Sequence, residues 1–276
     1  MSEENTPSSK ERPIPAAWSD NPFEAPTAHV EDARPAGDGT LNEEPNSLGA
    51  GRGSGWWSGG WSLFREAMGL WIGISITYLV LIVVLSMIPI LGQMITYFLA
   101  PILMGGLMLG CRDLESGNGL SFGHLFAGFQ KNFSQLVLVG VLYLVGVVLI
   151  GIIIVVAVFG GSLSAATVSG SDPAAAASAV RSLLLAILLG MALIVPLLMA
   201  TWYAPALTII NDVPAIQAMK LSFKGCLRNI VPFLIYGLVG VVLAIIASIP
   251  LALGWLLLFP TMICSTYVSY REIFVD

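Results

Sequence analysis

Leu70 to Gly110 reads LWIGISITYLVLIVVLSMIPILGQMITYFLAPILMGGLMLG, a run of 41 residues without a charged side chain. As one helix it would reach about 62 Å, twice a hydrocarbon core of about 30 Å. The stretch must therefore fold back on itself. Pro89 and Gly92, in IPILG, mark the turn and predict two spans, near 70–88 and 90–110.

Val231 to Val268 repeats the situation with 38 charge-free residues, about 57 Å as one helix. The break at Pro250 to Gly254 predicts spans near 231–249 and 251–268. Two further apolar runs, 136–159 and 183–203, bring the expected count to six. Their connector, GGSLSAATVSGSDPAAAASAVR, contains Asp172-Pro173, an Asp cap followed by Pro in the first helical turn. The predicted fold class is all-α: a polytopic six-transmembrane-helix bundle forming one domain over 56–276.

Composition agrees with a chain solvated by lipid. Of the 276 residues, 56% are hydrophobic and 11% charged, with a mean hydropathy of +0.85. Soluble domains hold about 25% charged residues. The net charge of −5 belongs to the N-terminal tail, where residues 1–55 carry ten acids and four bases. That tail is rich in Pro, Glu, Ser, Asn and Gly, too poor in apolar residues to offset ordering entropy, and is expected to be disordered. It lacks the basic and apolar regions of a signal peptide. Trp18 and Phe23 are the anchors through which it would dock on a protein partner.

Cations near the expected spans set the orientation. Arg52, Arg65, Arg112, Lys131, Lys220, Lys224, Arg228 and Arg271 fall on one side, and Arg181 alone on the other. Eight to one places both termini in the cytoplasm under the positive-inside rule.

Three lead-in segments precede spans. Over 214–229, Gln217, Lys220, Lys224 and Arg228 share one stripe at 100° per residue. Over 121–135, His124, Gly128, Lys131 and Gln135 line one face and Phe122, Phe126, Phe129 and Phe133 the other. Before the first span, Trp57, Trp61, Phe64, Met68 and Trp71 recur at helical spacing. Such segments are expected in the headgroup layer, aromatics down and cations up, with His124 solvated. Lys220, Lys224, Arg228 and Lys131 are the candidate contacts for anionic lipid, although topology and interface anchoring alone would also explain them.

The hairpins repeat. Pro101 precedes Arg112-Asp113 by the 11 residues that separate Pro260 from Arg271-Glu272. Gly128 to Asn132 resembles Gly225 to Asn229, and Gly140 and Gly237 follow at matching offsets. Three units result, each a lead-in, a span and a returning span with a proline.

No enzyme is expected. The predicted spans contain no Asp, Glu, Lys, Arg or His, the usual marks of ion-coupled transport. What remains is hydroxyls such as Thr96, Thr261 and Ser265, with Gln93 near the outer turn. Cys111, Cys226 and Cys264 are scattered, and only His29 and His124 could join them, so neither a metal nor another cofactor is predicted. P-loop, dinucleotide, HExxH and GxSxG signatures are absent, and no nucleic-acid partner is expected. Head-group chemistry would require Asp113, Asp212 and Glu272 to converge.

The segments GWSLFREAMGLWIG, LMLGCRDLESG, HLFAGFQKN, TWYAPALTIINDVPAIQAMKLSFKGCLRNIVPFLIYG and YVSYREIF resemble an uncharacterised family of proteobacterial six-helix inner-membrane proteins. The likeness covers roughly 56–276. More coarsely, the hairpin pattern is similar to the membrane domain of glycerophosphoryl diester phosphodiesterases, without a catalytic domain. The resemblance implies location and fold, and assigns no functional residue. Two functions are open on these grounds: organising membrane lipids or partner proteins, or transport of a neutral or amphipathic solute through proline-kinked helices.

Overall fold

The structure is a computed structural model and describes residues 40–42, 44–166 and 173–275. The chain is all-α: α1 (Arg52–Glu66), α2 (Met68–Ser86), α3 (Leu91–Glu115), a 3-10 helix (Phe122–Phe129), α4 (Phe133–Ala166), α5 (Pro173–Trp202), α6 (Ala204–Asn211), α7 (Ala215–Arg228), α8 (Ile230–Ser248) and α9 (Trp255–Phe274). Trp18, Phe23, His29 and Asp172 lie outside the described residues.

Among the described residues, five segments are long and apolar enough to cross a bilayer: Met68–Ser86, Leu91–Glu115, Phe133–Ala157, Val180–Asn211 and Ile230–Ser248. The expected fold-backs occur where proline and glycine interrupt the apolar runs. Between α2 and α3 the chain reverses through Pro89, with Ile90 at φ 62°. Between α8 and α9 it reverses through Pro250, with Leu251 and Ala252 both at positive φ. That turn is longer than the sequence suggests, so α9 begins at Trp255 and not at Leu251.

At 20 residues α9 is long enough to span but not apolar enough to count with the five. Its C-terminal half carries Ser265, Thr266, Tyr267, Ser269, Tyr270, Arg271 and Glu272. Twelve of its 20 residues are buried. The outer helices bury little of themselves and leave Val80, Val84, Leu149, Val156, Leu188, Leu238 and Ile245 exposed. A core of polar helix inside a jacket of apolar ones suits hydrocarbon as solvent.

One relation recurs three times. The 3-10 helix lies on α3, backbone to backbone: a Cβ on Gly106 would strike the His124 carbonyl, and one on Gly128 the Ile102 carbonyl. α7 lies on α5, where the Ser222 hydroxyl donates to the Met199 carbonyl (2.6 Å) and accepts from the Tyr203 N–H (3.0 Å). α1 lies on α9, where Gly60 abuts the Ser265 backbone. Each lead-in thus rests on the return helix of the unit before it, and the third contact joins the first unit to the last. Each then breaks before its own span, at Ala67 (φ −135°, ψ 40°), Asn132 (φ 54°) and Asn229 (φ −121°, ψ 32°).

Three expectations need correction. Residues 1–55 are not one unstructured segment, because residues 41–48 dock and α1 starts at Arg52. Leu41 pairs with Val275, the Asn42 N–H donates to the Phe274 carbonyl (2.8 Å), and the Asn46 N–H donates to the Ile273 carbonyl (2.7 Å). These donors satisfy carbonyls that the end of α9 leaves open. Segment 121–135 is a 3-10 helix and a left-handed Asn, not a continuous amphipathic helix. The aromatics of the first lead-in do not point into lipid: Trp57 and Phe64 on α1 and Trp71 on α2 are buried in protein, and Trp61 alone of these four rings is exposed.

Overpacking a backbone contact typically costs 1–3 kcal/mol. Gly106→Leu is expected to lower the thermal midpoint in detergent by several degrees, since 1 kcal/mol shifts a chain of this size by about 2–4 °C. Gly151→Leu, where an added Cβ meets nothing within 4 Å, should leave it unchanged.

Candidate functional site

Polar and charged side chains gather where the ends of α3, α6 and α9 meet α1 and the docked 41–48 segment. Glu272, mostly buried, accepts from Arg52 Nε (3.0 Å) and from Trp56 Nε1 (2.9 Å). The carboxylate holds the Arg52 guanidinium above its usual pKa, chiefly through the hydrogen bond and then through charge. Glu115 pairs with Arg271 and accepts from the Tyr267 hydroxyl (2.7 Å). Tyr270 donates to Asn211, and Tyr203 donates to Ser269 Oγ (2.7 Å). α9 is therefore tied to α1, α3 and α6 by side chains that no apolar pattern registers.

Asn229 holds the N-terminal segment. Its Oδ1 accepts from the Leu48 N–H (2.8 Å), and its Nδ2 donates to the carbonyls of Asn46 (2.8 Å) and Gly225 (2.9 Å). Asn132, its counterpart in the second unit, donates to the Thr208 carbonyl (2.7 Å) and to Asp212 Oδ1 (2.6 Å). The two asparagines do the same work at both breaks, pinning the hinge to a neighbouring element.

The four candidate lipid contacts divide into two kinds. Lys131 lies 3.6 Å from Asp212, and Arg228 lies 3.0 Å from Glu44. Lys220 and Lys224 are exposed and form no ion pair among the described residues. α7 turns Ala215, Ala218, Ser222, Gly225 and Cys226 inward, while Ile216 and Leu227 are exposed beside the lysines. The buried face is thus the small-residue face. Cys226 belongs to that buried face, away from Ile216 and Leu227.

The carboxylates do not converge. Asp113 faces Arg112 (2.8 Å) and His124 Nε2 (3.1 Å), Asp212 faces Asn132 and Lys131, and Glu272 faces Arg52. His124 is not solvated as expected. It is half-buried, its Nδ1 accepts from the Ser121 N–H (2.9 Å), and it completes a capping box on the 3-10 helix. Among the described residues no group of three His, Cys, Asp or Glu could hold a metal ion. Phe122, Phe126, Phe129 and Phe133 are all exposed, with Phe129 against both Phe126 and Phe133, and form an aromatic ledge.

Hydroxyls in α2, α3 and α9 are turned onto their own backbone. Thr77 donates to the Gly73 carbonyl (3.0 Å), Thr96 to Gly92 (2.8 Å), Thr261 to Leu257 (2.7 Å) and Ser265 to Met262 (2.9 Å). Ser265 also meets the Tyr236 hydroxyl at 2.8 Å. An open apolar groove of about 330 Å³ lies between α4 and α5, lined by Ile150, Ile154, Leu183, Ile187, Gly190 and Met191 among others.

Among the described residues, five bilayer-length apolar helices around a protein-covered polar one define a multi-pass membrane protein. A probable inner membrane protein of Burkholderia thailandensis is similar to it, 29% identical over 242 residues that cover 79% of this chain and 89% of that one. No family model matches the chain. No solved structure matches it either.

Neutralising the shared carboxylate should release the N-terminal segment. In Glu272→Gln, tryptic cleavage at Arg52 is expected to accelerate several-fold over wild type, read by mass spectrometry of timed digests. An unchanged rate would show that the backbone bonds of 41–48 hold the segment without Glu272.

Proposed function

We propose that this chain is a non-enzymatic, six-span protein of the bacterial inner membrane that organises anionic lipid along its cytoplasmic rim. The observation that carries the reading is α7: two exposed lysines without an ion pair among the described residues, set beside exposed Ile216 and Leu227, on a helix whose opposite face is buried. An apolar edge next to cations is what a helix lying in the headgroup layer requires. The phenylalanine ledge of the 3-10 helix supplies a second apolar edge of the same kind.

The sixth crossing is α9, which tolerates its polar side chains because the other helices cover them. The eight-to-one distribution of cations supports cytoplasmic termini. The name of the Burkholderia relative supports the inner membrane as the location. Thr261 and Ser265, which a solute path would need free, are buried and engaged with neighbouring carbonyls, and this favours lipid organisation over transport.

Each exposed cation near an anionic surface contributes roughly 1 kcal/mol, so losing two should weaken lipid retention roughly tenfold or more. Native mass spectrometry of Lys220→Gln/Lys224→Gln should show that loss for phosphatidylglycerol and cardiolipin. A Lys131→Gln/Arg228→Gln protein should lose less, because those cations already face carboxylates. Equal retention by the first variant and wild type would end the proposal. Topology is tested separately: reporters fused after Gly161 and at Asp276 should give opposite signals.

A further inference from the structure

In two of the three units the return helix closes against the span that follows. α3 meets α4 at Gly140, where an added Cβ would lie 2.8 Å from the Tyr97 carbonyl oxygen, with the Tyr97 and Tyr143 rings 5.8 Å apart. α9 meets α2 at Tyr78 and Phe259, rings 4.9 Å apart. The remaining seam, α5 against α8, is different. Its helices touch beneath α7, where Trp202 and Phe233 stand edge to face at 6.4 Å, and among the described residues they do not pack along their length.

Gly237 records the difference. It stands eight residues after Asn229, as Gly140 stands eight after Asn132. Gly140 admits the backbone of α3, whereas a Cβ on Gly237 would meet nothing within 4 Å. Leu234, Leu238 and Val241 beside it are exposed. The outcome is a notch one side chain deep on an apolar wall, suited to a hydrocarbon chain. A second helix would need an axis separation of 8–10 Å and a broader face of small residues.

α7 roofs this seam. The Ala215 N–H donates to Gln135 Oε1 (2.9 Å) at the foot of α4, Ser222 bonds Met199 on α5, and Asn229 leads into α8. Lys220 and Lys224 are therefore carried on the element that bridges the two helices. We propose that the α5–α8 seam binds one anionic phospholipid, its phosphate at Lys220 and Lys224 and an acyl chain against Gly237. The proposal rests on the lipid reading of α7 and adds a defined place for the chain. Two exposed cations on the helix that caps an apolar slot match an amphiphile with one negative end.

The test uses the full chain in vesicles of equal phosphatidylglycerol and phosphatidylcholine, with the photocrosslinker p-benzoylphenylalanine at Leu238 or, as control, at Val83 on α2. Lipid adducts are identified by mass spectrometry. Phosphatidylglycerol adducts should exceed phosphatidylcholine adducts at least about threefold at position 238 and be near parity at 83. Gly237→Leu, placed in open space and so compatible with folding, should abolish the preference, as should Lys220→Gln/Lys224→Gln. Parity at 238, or adducts there to a second copy of the chain, would overturn the seam site. If parity accompanies an intact lysine effect in native mass spectrometry, α7 remains a headgroup contact and the seam alone falls; if the lysine effect is also absent, both fall.

Discussion

A helix bearing Ser265, Thr266, Ser269, two tyrosines, an arginine and a glutamate cannot face hydrocarbon along its polar half without leaving several groups unsatisfied. Each such group would cost several kcal/mol in a medium that offers no hydrogen bonds. The arrangement of the other elements follows from supplying α9 with partners. α1 brings Arg52, Trp56 and the close approach at Gly60, α8 brings Tyr236, α3 brings Glu115, and the element after α5 brings Tyr203 and Asn211. The N-terminal segment finishes the work by donating to the last carbonyls of the helix. What remains outward is aliphatic and needs only lipid.

The lead-in segments are the second half of this solution. They dock through small residues, so backbone meets backbone and the wide side chains are left to point away or into the core. Gly106 against Gly128 shows the principle most directly, and Ala218, Ser222 and Gly225 repeat it on α7. Close approach by small residues is the usual basis of helix association in lipid, where no hydrophobic effect drives apolar faces together. It also explains why the exposed edges are free to carry phenylalanine, isoleucine and lysine.

Much of this could be read from the chain. Long charge-free runs interrupted by Pro89 and Pro250 identify the hairpins, because length alone forbids a single crossing. The matching Gly and Asn positions around Asn132 and Asn229 identify the repeat, and both asparagines prove to be hinges. The docked segment at 41–48 was not readable, since its few apolar residues are diluted by a tail of Glu, Pro and Gly and its partners lie about 180 to 230 residues away. The burial of Trp57, Phe64 and Trp71 was missed for a related reason. Helical spacing shows that they share a face, but only the position of α8 and α9 decides whether that face meets protein or lipid. Periodicity puts His124 on a solvated face, because the ten residues that return it to Asp113 form a tight turn that composition does not reveal.

The contact between α1 and α9 joins residues some 220 positions apart. During synthesis the amino-terminal half therefore reaches the bilayer long before its counterpart exists. Until α8 leaves the ribosome, the indole rings of Trp56 and Trp57 lack Phe233 and Tyr236, which pack against them in the finished protein, and the water–lipid boundary is a place that suits such rings meanwhile. Assembly is consequently a closing step and not a steady accretion, and a chain truncated before α9 would keep its first hairpin while α1 lacked the helix that Gly60 packs against.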